Sequence, residues 1–96
     1  MKHLILDGYL NGTGIRDGQN GGYLELSELG ISSTLEKMIS SWVLEYENEF
    51  YDGYSDYKKV EKLDSEGIDI MRKLKEELPD DKVEYYSDAR MMKIII

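Results

Sequence analysis

Cysteine is absent from the chain, and histidine, proline, tryptophan and phenylalanine each occur once. Without cysteine there can be no disulfide, thiolate zinc site, iron–sulfur cluster or cysteine nucleophile. A reducing compartment fits that composition, and a cytoplasmic protein is expected. His3 has no second imidazole to share a metal with, and no nucleophile, base and orienting group assemble around it by any local signature. Long apolar runs are missing as well. Met91-Met92 and Ile94-Ile95-Ile96 are interrupted by Lys93, far short of the roughly 20 residues a membrane helix needs. The apolar stretch Leu4-Ile5-Leu6 stops at Asp7, too early for a signal peptide.

Glycine is concentrated between Gly8 and Gly22, but it makes no phosphate loop. Gly12-Thr13-Gly14 lacks the third glycine of a dinucleotide fingerprint, and no Gly-Lys-Ser/Thr follows. Asp17, Gln19 and Gly21 imitate the start of a calcium loop only until the third ligand position, which is glycine, and the distal glutamate is missing. Carboxylate pairs such as Glu45/Glu49 and Glu76/Glu77 carry little meaning among 20 acids. No cofactor, no metal and no enzymatic activity are therefore expected.

What is present is a chain of 96 residues, 41% hydrophobic and 33% charged, enough for one domain with one core. Its net charge of −8 is unevenly spread. Residues 1–57 carry ten acids against three bases, whereas the remainder carries ten against nine. A field of that sign repels nucleic acid and anionic membranes and attracts basic proteins; the plainer reading is that the acids keep the chain soluble.

Residues Leu4 to Leu6 read as a strand, and Asn11-Gly12 is a hairpin signal because both residues tolerate positive φ. A second turn cluster, residues 17–22, leads into Tyr23-Leu24-Glu25-Leu26, whose alternation predicts another short strand. Leu35, Met38, Ile39, Trp42, Val43, Tyr46 and Phe50 form one helical stripe, opened by a capping box of Ser33 and Glu36, with Trp42 in the core. A second helix is expected over residues 58–78, with Val60, Leu63, Gly67, Met71, Leu74 and Leu78 on one face. Gly67 marks either a break near Asp64-Ser65 or the close approach of another element. Pro79 stops that helix, and strands over residues 82–87 and 90–96 close the chain, the last apolar enough to be buried. The expected fold is α+β, a short antiparallel sheet from both chain ends packed against two helices, as a single domain over residues 1–96.

The segment from Glu45 to Tyr57 holds five acids, four tyrosines and no base. Tyrosines give large contact area at low entropic cost, and carboxylates match an Arg/Lys-rich partner. The candidate contact residues are Glu45, Glu47, Glu49, Tyr51, Asp52, Tyr54, Asp56 and Tyr57. The competing reading places Tyr46 and Tyr57 in the core and leaves the acids solvated.

The run Leu26-Ser27-Glu28-Leu29-Gly30-Ile31-Ser32, then Leu35, Trp42, Tyr46, Glu66-Gly67, Leu74 to Leu78 and Val83-Glu84-Tyr85-Tyr86, resembles small bacterial immunity proteins of contact-dependent growth inhibition and other polymorphic toxin systems. The resemblance covers residues 26–86. It implies neutralisation of a cognate toxin domain, commonly a nuclease, in the cytoplasm by stoichiometric binding. The acidic charge matches a basic toxin and argues against direct contact with nucleic acid or membrane. A monomer is favoured, with the oligomeric state left open. Two alternatives stay open: an acidic DNA mimic acting as a regulator or anti-defence protein, and a subunit that self-associates through residues 90–96.

Overall fold

The computed structural model describes residues 1–94. The elements run β1 (His3–Leu6), β2 (Ile15–Asp17), a 3-10 turn at Leu26–Glu28, α1 (Ser33–Tyr51), α2 (Tyr57–Glu77), β3 (Lys82–Ser87) and β4 (Met92–Ile94). Strands from both chain ends form one sheet against two helices, which is the α+β arrangement expected. The sheet is mixed, however, and not antiparallel throughout. Its order is β2-β1-β3-β4; β1 pairs antiparallel with β2 and parallel with β3, and β3 pairs antiparallel with β4. Parallel neighbours need a long crossover, and the α1–α2 hairpin supplies one, returning the chain beside β1 in β1's own direction.

The central strands show why the core sits where it does. Leu4 and Leu6 on β1 and Tyr85 on β3 are fully buried, as are Leu35, Ile39 and Tyr46 of α1 and Leu74 of α2, or nearly so. Trp42 is a core residue as expected, and its indole Nε1 donates to the carbonyl of Leu63 at 2.8 Å, the partner a buried indole requires. No helix among the described residues is long and apolar enough to cross a membrane.

Several local expectations shift. Asn11 does adopt a turn conformation, φ 66°, but the β1–β2 connection spans residues 7–14 and is no two-residue hairpin. Residues 23–26 do not form a strand: Tyr23 makes a single bridge to Arg16, and the Thr13 hydroxyl takes the Leu24 carbonyl at 2.6 Å, the acceptor a strand partner would have used. The cap of α1 is Ser32, whose Oγ accepts from the Leu35 amide at 3.2 Å. With the cap at 32, Glu36 lies one position too far along to reach back. Glu77 of α2 takes that place, accepting from both the amide and the hydroxyl of Ser32 at 2.6 and 2.8 Å, and so ties the start of one helix to the end of the other.

Within the described part of the expected final strand, residues 90–94, pairing begins at Met92 and takes in residues 92–94. Met91 is in a turn at φ 55°, and Met91 and Met92 are exposed because β4 is an edge strand. Ile95 and Ile96 lie outside the described residues.

Gly67 marks close approach, not a break. Helix α2 runs through it unbroken, and a Cβ at that position would clash with the Cε1–Cζ–OH edge of Tyr85. Gly67→Ala should therefore destabilise the protein by about 1–3 kcal/mol through overpacking, against the gain of about 1 kcal/mol that alanine brings to an open helix. Urea unfolding checks this, and a raised midpoint would mean that Tyr85 has room to move.

Candidate functional site

The helical hairpin is anchored by a carboxylate on its inner face. Asp64 of α2 is 3% exposed. Its Oδ1 accepts from the hydroxyls of Tyr46 at 2.9 Å and Tyr85 at 2.6 Å, and its Oδ2 from Ser87 Oγ at 2.8 Å, with Arg90 Nε at 3.2 Å. The Tyr46 oxygen also accepts from the Ala89 amide at 3.1 Å. Burial is the main cause that pushes the Tyr46 phenol up to about 12 and the Tyr85 phenol up as well, so both remain donors at neutral pH. This set joins α1, α2, β3 and the turn before β4. Sequence reasoning missed Asp64, although a carboxylate at i+4 from Val60 on an otherwise apolar face was the available signal.

An aromatic row leads from that anchor to the surface. Tyr85 and Trp42 have ring centroids 5.9 Å apart, Trp42 and Tyr46 5.3 Å, Tyr46 and Tyr54 5.9 Å, Tyr54 and Phe50 6.1 Å, Phe50 and Tyr51 5.8 Å. Edge-to-face packing of this kind holds ring orientation as well as burying area. Tyr54 sits at φ 55° in the turn between the helices. Its hydroxyl donates to Asp88 at 2.6 Å, and burial, then that bond, raises its pKa.

The eight residues singled out in the sequence divide into two groups. Glu45, Tyr51, Asp52 and Tyr57 are exposed and free to meet a partner. The other four are engaged within the fold. Glu47 accepts from the Asn11 amide at 3.1 Å, Tyr54 is placed as above, and Asp56 caps α2 by accepting from the amides of Lys58 and Lys59 at 3.1 and 3.2 Å. Glu49 is buried. Phe50, assigned to the core stripe, is instead 42% exposed, next to Tyr51 at 72%, with Tyr57 at 66%. The Arg90 guanidinium lies 5.9 Å over the Tyr57 ring, a cation–π contact that links the exposed tyrosine to Asp64. Lys58, Lys59 and Lys62 on the first turns of α2 put positive charge beside these acids, so the hairpin end is mixed in sign.

A second buried carboxylate closes the β1–β2 loop. Asp7 Oδ1 accepts from the Tyr23 hydroxyl at 2.7 Å and from the Tyr9 amide at 3.3 Å, and Oδ2 lies 3.0 Å from Arg16 Nη2. Burial outweighs these partners and raises the pKa of Asp7. Among the described residues, no group of three or more histidine, aspartate or glutamate side chains is arranged to hold a metal ion. Comparison with protein-family models, curated proteins and solved structures found no match.

Asp64→Asn should cost about 3 kcal/mol, because it breaks a buried, charge-assisted set and leaves Arg90 without its carboxylate, whereas Asp52→Asn on the surface should stay within about 0.5 kcal/mol of the parent. Equal melting temperatures for the two variants would refute the anchor. Asp7 gives a pH dependence whose sign follows from its burial. Its native pKa lies above the unfolded value, so the native state binds more protons in that window and stability falls as pH rises through it. Urea titrations at a series of pH values should show the parent gaining stability relative to Asp7→Asn as pH is lowered from neutral; a flat difference, or one of opposite slope, would contradict the assignment.

Proposed function

We propose that this chain is an immunity protein: a cytoplasmic, non-catalytic inhibitor that binds a basic toxin domain through the end of its α1–α2 hairpin. The observation that carries this reading is the exposure of Phe50, Tyr51 and Tyr57 beside the carboxylates of Glu45 and Asp52. Large aromatic side chains already held in place lose little freedom on binding, and they are the residue type that dominates binding energy at interfaces. Tyr57 is braced by Arg90, and Phe50 and Tyr51 close the aromatic row that starts in the core. The carboxylates and the net charge of −8 supply the long-range part, speeding encounter with a positively charged surface. A nuclease must itself attract an anionic polymer, so it presents such a surface.

The division of labour between the two groups is testable. With the protein captured by this chain from its native host as ligand, association measured by surface plasmon resonance should slow steeply as salt rises from about 50 to about 500 mM. The double variant Glu45→Gln/Asp52→Asn should slow association and flatten that dependence. Tyr51→Ala and Tyr57→Ala should act on dissociation, each weakening binding about tenfold. An acidic partner, or association indifferent to salt, would reject the proposal.

A further inference from the structure

Glu49 is a carboxylate that the fold buries without satisfying. It is 5% exposed, and Oε2 is buried with no hydrogen-bond partner. The nearest cation, Lys59 Nζ, stands 3.7 Å from Oε1, beyond hydrogen-bonding distance, on a side chain that is 63% exposed. The two buried aspartates differ in their cations. Asp64 has three hydroxyl donors and the Arg90 guanidinium at 3.2 Å. Asp7, whose Oδ2 likewise accepts no hydrogen bond, has Tyr23 on Oδ1 and the Arg16 guanidinium 3.0 Å from Oδ2, whereas Glu49 has only the more distant Lys59. An oxygen left without a donor in the interior is costly to a fold, and a fold that retains one gains when a donor arrives from outside.

The surroundings specify the donor. Glu49 lines a cleft of about 350 Å³ between the end of α1 and the first turns of α2, together with Glu45, Asp52, Lys59, Lys62 and Leu63. That volume is at the small end for ligand pockets, about 300–1,000 Å³, and matches one long side chain better than a whole cofactor. Glu45 and Asp52 lie four residues before and three after Glu49, so all three carboxylates share one face of α1. The last turn of α1 contains no basic residue of its own, so the negative end of the helix dipole adds to the three carboxylates in favouring a cation. Leu63 offers apolar wall to an alkyl stem. Lys62 is drawn along α2 toward Glu66, 3.8 Å away, and Lys59, loosely held and largely in solvent, can swing clear.

We infer that this cleft receives an arginine side chain of the basic partner, its guanidinium seated on Glu49. The inference rests on the proposed binding function and deepens it by naming the seat. Arginine suits the site better than lysine because a planar fork can donate to two carboxylate oxygens at once while its weakly hydrated head enters a confined space.

A hexa-arginine peptide is the probe, followed by calorimetry and by amide shift mapping on the full chain. The parent should bind it with shifts concentrated on residues 45–52 and 59–63, and should bind hexalysine several-fold more weakly. Glu49→Gln should lose about tenfold in affinity, and Lys59→Met, which removes the internal competitor, should tighten binding. Because Lys59 is exposed, its variant tests the site even if Glu49→Gln folds poorly. Shifts at the cleft with Glu49→Gln and Lys59→Met both binding as the parent does would overturn the seat and leave the acidic face standing. Absence of shifts anywhere on the hairpin end would overturn the face itself, and the seat with it.

Discussion

A carboxylate placed on the apolar side of a helix must be supplied with donors or be driven out of the core. Asp64 is supplied by Tyr46, Tyr85, Ser87 and Arg90. Those donors come from α1, from β3 and from the turn beyond it, so one side chain of α2 sets where three separate segments lie. The remaining structure follows from that requirement. Tyr85 can reach Asp64 only by lying across α2, which is why position 67 has no side chain. With β3 parallel to β1, as the helical crossover brings it, Ser87 and Arg90 come within reach of Asp64. Buried charge is expensive when any partner is missing, and that expense makes the arrangement specific.

The same anchor gives the hairpin end its stiffness. Tyr46 stands between Asp64 and Tyr54, Tyr54 is pinned to Asp88, and Phe50 and Tyr51 extend the row outward. Arg90 reaches back from Tyr57 to Asp64. The exposed aromatic groups here end a continuous path of ring contacts from the core. Rigid aromatic groups beside carboxylates make a surface on which charge can attract a partner and shape can hold it. Glu49 fits that picture as a buried carboxylate at the hairpin end with one oxygen that accepts no hydrogen bond and no guanidinium beside it.

Much of the fold was legible because its signals are local. The stripe from Leu35 to Tyr46, the stop at Pro79 and the strands at residues 4–6 and 82–87 are patterns of period and turn chemistry, and each appears where the pattern puts it. What was not legible depends on long-range pairing. Nothing within residues 1–6 or 82–87 says that the two strands run parallel; the crossover decides it. The cap moved from Ser33 to Ser32 because its reciprocal carboxylate, Glu77, comes from another helix. For the candidate surface, composition located the segment from Glu45 to Tyr57 but could not sort it. Glu47, Tyr54 and Asp56 are engaged by Asn11, Asp88 and the α2 amides, and Glu49 is buried between the helices, all of it visible only in three dimensions. Phe50 was assigned inward by period alone, yet it lies on the last turn of α1, exposed among the tyrosines.

The proposed partner site is the end of the α1–α2 hairpin. Hydrogen–deuterium exchange on the complex with the host protein that this chain captures measures that location directly, residue range by residue range. Slowed exchange is predicted over residues 44–63, with the loops at 7–22 and the edge strand β4 unchanged. Protection of β2, β4 or the 7–22 loops, with the hairpin exchanging as it does in the free protein, would contradict it.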